Sequence, residues 1–295
     1  MTDPASELKE LKPRNRFFIG IDSDGCAFDT MEIKQKECFC PCFINHFGMQ
    51  PVSRYARETW EFVNLYSKDR GCNRFIAVLR ALELLRRRPE VKARGVTVPA
   101  MESLREWVER ESKLGNPALK AEIERTSDPD LQRAYDYSID VNQTVSRIVR
   151  GVPPFPLVRE SLEAIGKSAD AIVVSQTPGE ALVREWKEHG IERHVRVIAG
   201  QEMGTKAQHI EFAATGKYPP HRILMIGDAP GDLQAAQANG ACFFPVVPGH
   251  EERSWELFHT EALARFFAEE YKGAYEAKLL KEFDASLPET PPWRV

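Results

Sequence analysis

Nowhere in this sequence does an apolar run approach the roughly 18 residues that a membrane-spanning helix needs. The first fifteen residues are polar and mixed in charge, without the apolar stretch of a secretory signal. The expected compartment is therefore the cytoplasm, with no membrane as partner. Long basic runs are also missing, and the formal net charge is −4, so no nucleic acid is expected as partner. The triplet Arg86, Arg87, Arg88 closes a helical pattern, where it is read as complementing the helix dipole. Cysteine is sparse. Six residues, Cys26, Cys38, Cys40, Cys42, Cys72 and Cys242, are read as free thiols in a cytosolic chain of this size. Cys38, Cys42 and His46 recur every fourth residue and would share a helix face. A zinc site would need a fourth ligand, none is evident, and Pro41 interrupts the run, so buried apolar thiols are the expectation. There is no internal repeat and no low-complexity tract.

What is present reads as a globular protein. Hydrophobic residues make up 42% of 295, enough for one large domain or two modest ones. Phe17-Phe18-Ile19-Gly20-Ile21 is a short continuous apolar run, the pattern of a strand buried on both faces. It stops at Asp22-Ser23-Asp24-Gly25, and carboxylates directly after a buried strand are costly unless something pairs with them. Residues 31–150 read as helical. Phe75, Ile76, Leu79, Leu82 and Leu85 keep helical spacing, and Asn116-Pro117 and Asp128-Pro129 look like caps followed by first-turn prolines. A proline-rich hinge, Gly151 to Pro156, follows.

Beyond the hinge, strands and helices alternate. Strands are expected at 171–174, 195–198, 222–226 and 242–247. Thr177-Pro178-Gly179-Glu180 and Thr205-Lys206-Ala207-Gln208 read as capping boxes. The predicted fold class is α/β: a Rossmann-like parallel sheet core with an inserted α-helical cap domain. The expected boundaries are 1–30 with 150–250 for a discontinuous core, 31–149 for the cap, and 251–295 for a helical C-terminal extension packing on the core.

In an open parallel sheet, ligands bind beyond the carboxyl ends of the strands. Those ends deliver Asp22 and Asp24, then Ser175 and Gln176, then Lys206, then Asp228 and Asp232. A lone acidic pair or a lone lysine means little. Four such groups in order, each after a strand, resemble the motif set of the haloacid dehalogenase superfamily. The four are DxDG at Asp22–Gly25, Ser175, Lys206, and GDxxxD at Gly227–Asp232. The resemblance covers about 15–30 and 150–248, and the helical block sits where that superfamily carries its cap.

The resemblance implies a chemistry. Asp22 would be the nucleophile that becomes an aspartyl phosphate. Asp24 would be the general acid and base, its backbone carbonyl also facing the metal. Mg²⁺ would be held by Asp22, Asp24, Asp228 and Asp232, the last through water or by orienting Asp228. Ser175 and Lys206 would complete the catalytic set, with Ser175 and Gln176 next to the phosphoryl group and Lys206 offsetting its charge. An acid/base aspartate at position 24 favours the phosphatases and phosphomutases of the superfamily. Cys26, where Thr or Val is common, is expected to have little effect. The cap would read the substrate, with Arg70, Asn73 and Arg74 as candidates beside the plainer reading of a capped, solvated helix start. The expected function is a Mg²⁺-dependent phosphatase acting on a small phosphorylated metabolite, a sugar phosphate or a phosphoglycolate-like ester. The alternatives are a phosphomutase with the same residues and a catalytically silent binding protein.

Overall fold

The computed structural model describes residues 3–294, and the chain divides into two compact units. The α/β unit comprises the chain up to Thr30 and then Gly151–Leu287. The helical unit comprises Met31–Arg150 and the segment from Pro288 onward.

The α/β unit is built on five parallel strands: β1 (Phe17–Ile21), β2 (Ala169–Val174), β3 (Val197–Ala199), β4 (Ile223–Gly227) and β5 (Cys242–Pro245), in the spatial order β3-β2-β1-β4-β5. Parallel neighbours need long crossovers, which the intervening helices supply. Every residue of β1 is buried, because helices cover both faces of the sheet. Phe17, Ile19 and Ile21 pack with Leu162, Trp255 and Phe258 on one face. Phe18 packs with Ile210, Ala213 and Ala236 on the other. That double cover is why the strand reads as an unbroken apolar run.

β2 starts at Ala169, two residues before the expected strand, and takes in the buried carboxylate Asp170. Asp170 is tolerated there because it is fully bonded. It accepts from the N–H groups of Arg14 (2.8 Å) and Asn15 (3.0 Å), from Tyr218 Oη (2.6 Å) and from Arg196 (3.0 Å). Burial alone would raise this carboxyl, but those bonds together hold it below the ordinary value.

The C-terminal extension closes an open edge. On edge strand β5, the N–H of Phe243 donates to Glu276 Oε1 (2.8 Å) and its carbonyl accepts from Tyr271 Oη (2.7 Å). Both groups would otherwise offer pairing to another chain. The extension does not end on the core, however. From Pro288 the chain groups with the helical unit, where Trp293 packs edge-on against Phe62 (5.5 Å) and lies 4.3 Å from the Arg88 guanidinium.

In the helical unit, the helices Cys40–His46, Ser53–Leu65, Arg74–Arg87, Glu102–Arg110, Asn116–Thr126 and Pro129–Ile148 enclose a core that includes Phe43, Trp60, Phe75, Trp107 and Tyr137. Among the described residues no strand lies between 31 and 150. Asp128 caps its helix as expected, accepting from the N–H groups of Asp130 (2.9 Å) and Leu131 (3.1 Å). Asn116 does not: Gly115 is the capping position, and Asn116 Oδ1 instead accepts from Ser138 Oγ (2.6 Å). Arg88 also departs from the dipole reading. It is buried, bonded to Glu58 and Glu90, and 4.7 Å from the Tyr55 ring. The described cysteines are all free. Cys42 faces Thr144 (3.8 Å) and His46 pairs with Asp140 (3.0 Å), so the three-residue face serves packing and hydrogen bonding.

Candidate active site

The sheet register brings the chemistry together. Ile21 lies level with Val173 on one side and Ile226 on the other. Asp22 continues β1 by donating its N–H to the Ile226 carbonyl (3.0 Å), and Ser175 continues β2 by donating to Ala199 (3.0 Å). Asp22 therefore stands at the centre of the edge, flanked by the residues that follow β2 and β4.

Asp22, Asp228 and Asp232 are all buried, and a ligand oxygen from each lies within 4.8 Å of the others. Lys206 Nζ bridges two of them, at 2.9 Å from Asp22 Oδ2 and 2.6 Å from Asp232 Oδ1. Lys206 opens the helix Lys206–Ala213, whose Thr205–Gln208 capping box is present as expected and fixes the start of that helix. Burial pulls the lysine toward neutrality, but the carboxylates of Asp22, Asp232 and Asp228 outweigh it and hold it charged. Asp22 moves the other way. Burial raises its carboxyl well above the usual range; Lys206 opposes this, and Asp232 and Asp228 reinforce it. One ammonium against three buried carboxylates leaves room for a further cation, and an all-oxygen donor set suits a hard one such as Mg²⁺.

Asp232 has both oxygens committed. Oδ1 takes Lys206, and Oδ2 accepts from the N–H groups of Asp228 (3.2 Å) and Ala229 (3.1 Å). It organises the turn that presents Asp228. The turn needs Gly227, because a Cβ there would sit 2.4 Å from the Asp232 Cβ. At the other end, Gly25 supplies the left-handed conformation (φ 74°) that curls the chain after Asp24, closed by the Gly25 N–H to Phe28 carbonyl bond (2.8 Å).

The remaining expected residues fall as follows. Ser175 is buried, its Oγ accepting the Thr177 N–H (3.2 Å). Gln176 donates to the carbonyls of Ser175 (3.2 Å) and Gly204 (3.0 Å), tying the loop after β2 to the loop before Lys206. Cys26 is buried in the core, where burial and the nearby carboxylates push its thiol well up, so it remains an unreactive thiol. Asp24 stands outside the three-carboxylate group. It accepts from Thr30 at Oδ1 and from Thr177 at Oδ2 (2.7 Å). The helix Gly179–Glu188 accordingly lacks the capping box expected from Thr177, and its first N–H goes to Glu202 (3.1 Å).

The candidates in the helical unit are bonded within that unit. Arg70 is buried and donates to the Leu65 carbonyl (2.9 Å). Asn73 caps its helix through the Phe75 N–H (3.0 Å) and donates to the Leu114 carbonyl (2.9 Å). Arg74 donates to Ser138 Oγ (3.0 Å) and Asn142 Oδ1 (2.8 Å), 5.2 Å from the Phe39 ring.

Residues 103–246 match the family model of the haloacid dehalogenase-like hydrolases, a stretch holding Ser175, Lys206, Asp228 and Asp232. Over that stretch the chain is similar to that superfamily. The matched stretch starts inside the helical unit and does not reach Asp22–Gly25. The sheet itself joins the first of these strand-end groups to the other three. No curated protein matches the sequence. Among solved structures, similarity extends to a predicted phosphoglycolate phosphatase from Haemophilus somnus (15% identity, 79% of this chain and 86% of that one, TM-score 0.42). It extends also to a haloacid dehalogenase-like family hydrolase from Xanthomonas campestris (13%, 89% and 97%, 0.45) and to one from Streptococcus pneumoniae (15%, 81% and 90%, 0.43). Among the described residues no helix is long and apolar enough to cross a membrane.

Two residues at this site escaped the sequence reading, Thr30 and Thr177. Thr177 carried a signal, a hydroxyl two residues past a strand end, but a helix cap accounts for the same pattern.

Proposed function

We propose that this hydrolase is a Mg²⁺-dependent phosphatase that cleaves a small phosphate ester through an aspartyl phosphate on Asp22. The observation that carries the reading is the Lys206 bridge between Asp22 and Asp232, in a buried group of three carboxylates at the strand ends. Asp22 and Asp228, with the Asp24 carbonyl, would hold Mg²⁺, and Asp232 would orient Asp228. When bound, the ion supplies charge that offsets the phosphoryl oxygens.

The residues then divide the work. Asp22 forms a bond to phosphorus as the ester P–O bond breaks, and Lys206 balances the charge that the nucleophile and the phosphoryl group bring together. Asp24 gives its proton to the departing alkoxide. In the second half, Asp24 takes a proton from water, the water oxygen bonds to phosphorus, and Asp22 is released with inorganic phosphate. Ser175 and Gln176 border the phosphoryl position. The helical unit would supply selectivity among sugar phosphates or phosphoglycolate-like esters, with Arg70, Asn73 and Arg74 as candidates. The cytoplasm is the proposed compartment.

The test is phosphate release from a phosphometabolite panel with Mg²⁺, for the wild type and for Asp22→Asn. The wild type should turn over at least one ester and form an acid-stable, hydroxylamine-labile phosphoenzyme; the variant should do neither. A wild type that releases no phosphate, or a variant that keeps substantial activity in a clean preparation, would overturn the proposal.

A further inference from the structure

Asp24 is unlike the other strand-end carboxylates. Asp22, Asp228 and Asp232 are buried together, whereas Asp24 is half-buried and outside their group. Each of its oxygens takes a threonine hydroxyl, Thr30 Oγ1 at Oδ1 and Thr177 Oγ1 at Oδ2 (2.7 Å). The threonines come from separate parts of the α/β unit. Thr30 is its last residue before the chain enters the helical unit, and Thr177 lies in the turn after β2. Thr30 is wholly buried, and the Thr177 N–H is held by Ser175 Oγ (3.2 Å).

A short carboxylate beside a cation-binding group has an obvious competing position, as one more ligand of the cation. There it could not carry a proton. A hydrogen bond to each of its two oxygens removes that freedom.

We propose that Thr177 and Thr30 are positioning residues that clamp the Asp24 side chain apart from the metal ligands. The inference rests on the phosphatase reading above, in which Asp24 passes a proton to the leaving oxygen and later takes one from water.

Thr177 is the better target, since Thr30 is wholly buried. The experiment compares wild type, Thr177→Val and Thr177→Ser as full-length chains with Mg²⁺, on the alkyl phosphate that the wild type hydrolyses best and on p-nitrophenyl phosphate. kcat/KM reports the first, phosphoenzyme-forming step, and nitrophenolate leaves without needing a proton. Thr177→Val should lower kcat/KM for the alkyl ester about 10- to 100-fold and for the nitrophenyl ester less than about 3-fold. Thr177→Ser, which keeps the hydroxyl, should restore both to within about 3-fold of wild type. A merely structural role would lower both substrates together. Equal losses, no loss on the alkyl ester, or failure of serine to rescue would each overturn the clamp. Should Thr177→Val fail to fold, Thr177→Ala is judged by the same split. A wild type inactive on both substrates overturns the phosphatase reading and the clamp with it; an active wild type with equal losses overturns the clamp alone.

Discussion

Replacing Gly227 with alanine adds one methyl group at the tightest point of the site. The new Cβ would lie 2.4 Å from Asp232 Cβ, 2.5 Å from its Cγ and 2.6 Å from its Oδ2. Ordinary carbon contacts begin near 3.5 Å, so the two residues must separate by about 1 Å. The Asp232 backbone lies in the first turn of the helix Pro230–Ala238, so the strain cannot be relieved by rotating a flexible tip. A shift of that size takes Oδ2 beyond bonding range of the Asp228 and Ala229 N–H groups, now at 3.2 and 3.1 Å. Overpacking costs about 1–3 kcal/mol, and a lost hydrogen bond to a charged group about 1.5–3 kcal/mol. The expected total of about 3–5 kcal/mol corresponds to a fall in Tm on the order of 10 °C. Phosphate release should fall further, because Asp232 holds both Lys206 and the Asp228 turn. Gly231→Ala is the control. Nothing lies within 4 Å of its Cβ position, and it sits in the same helix. Alanine there should be neutral or stabilising by up to about 1 kcal/mol. Calorimetry and a phosphate-release assay on both variants decide the matter. A Gly227→Ala protein with wild-type Tm and activity would refute the argument that this glycine is fixed by its contact with Asp232.

Mg²⁺ should raise the Tm of the wild type by an amount equivalent to about 2.7 kcal/mol at a hundred times its dissociation constant, and Asp228→Asn should remove the rise; an unchanged Tm in the wild type would argue against the three-carboxylate cation site. His209 is wholly buried, and burial pulls its imidazole from 6.5 down to about 4. Because the folded value is the lower one, the unfolded chain binds the extra proton, so stability is intact above pH 6.5 and should fall by about 3 kcal/mol as pH drops to about 4. Denaturant titrations of wild type and His209→Leu across that window should differ in slope, and parallel curves would refute the assignment. Asp170→Asn should destabilise by about 3 kcal/mol at pH 7, since a buried acceptor of several hydrogen bonds loses its charge; a Tm equal to wild type would contradict this. Arg74→Ala should lower Tm by several degrees, given its bonds to Ser138 and Asn142. A solvated arginine would leave Tm unchanged, and that result would return Arg74 to the surface reading.

The sheet was legible because its strands are buried on both faces. Phe17–Ile21 is an unbroken apolar run for that reason, and the strand was located to the residue. Asp170 hid the start of β2. A carboxylate inside a strand contradicts the apolar pattern, and the partners that make it tolerable lie at Arg14, Asn15, Arg196 and Tyr218, which sequence spacing cannot bring together. The strand-end residues of the candidate site were readable in order, because each directly follows a strand. The hydroxyl of Thr177 was misread for a related reason. Locally, Thr-Pro-Gly-Glu offers every element of a capping box, and only the loop after β1 shows that the hydroxyl has a competing acceptor in Asp24. The path of the last residues was likewise outside local patterning, since Trp293 finds its place through Arg88 and Phe62.

That path changes how the molecule can be taken apart. An inserted domain ordinarily has two junctions with its host, so a gene can be cut at both, the insert removed and the host resealed. Here the chain passes between the units three times, after Thr30, after Arg150 and after Leu287. A resealed α/β unit would retain a loose terminal ribbon carrying an indole with no partner. A separately expressed helical unit would lack the ring that lies against Arg88. Domain-exchange experiments on this chain therefore need the terminal segment transferred together with 31–150, or trimmed back to Leu287.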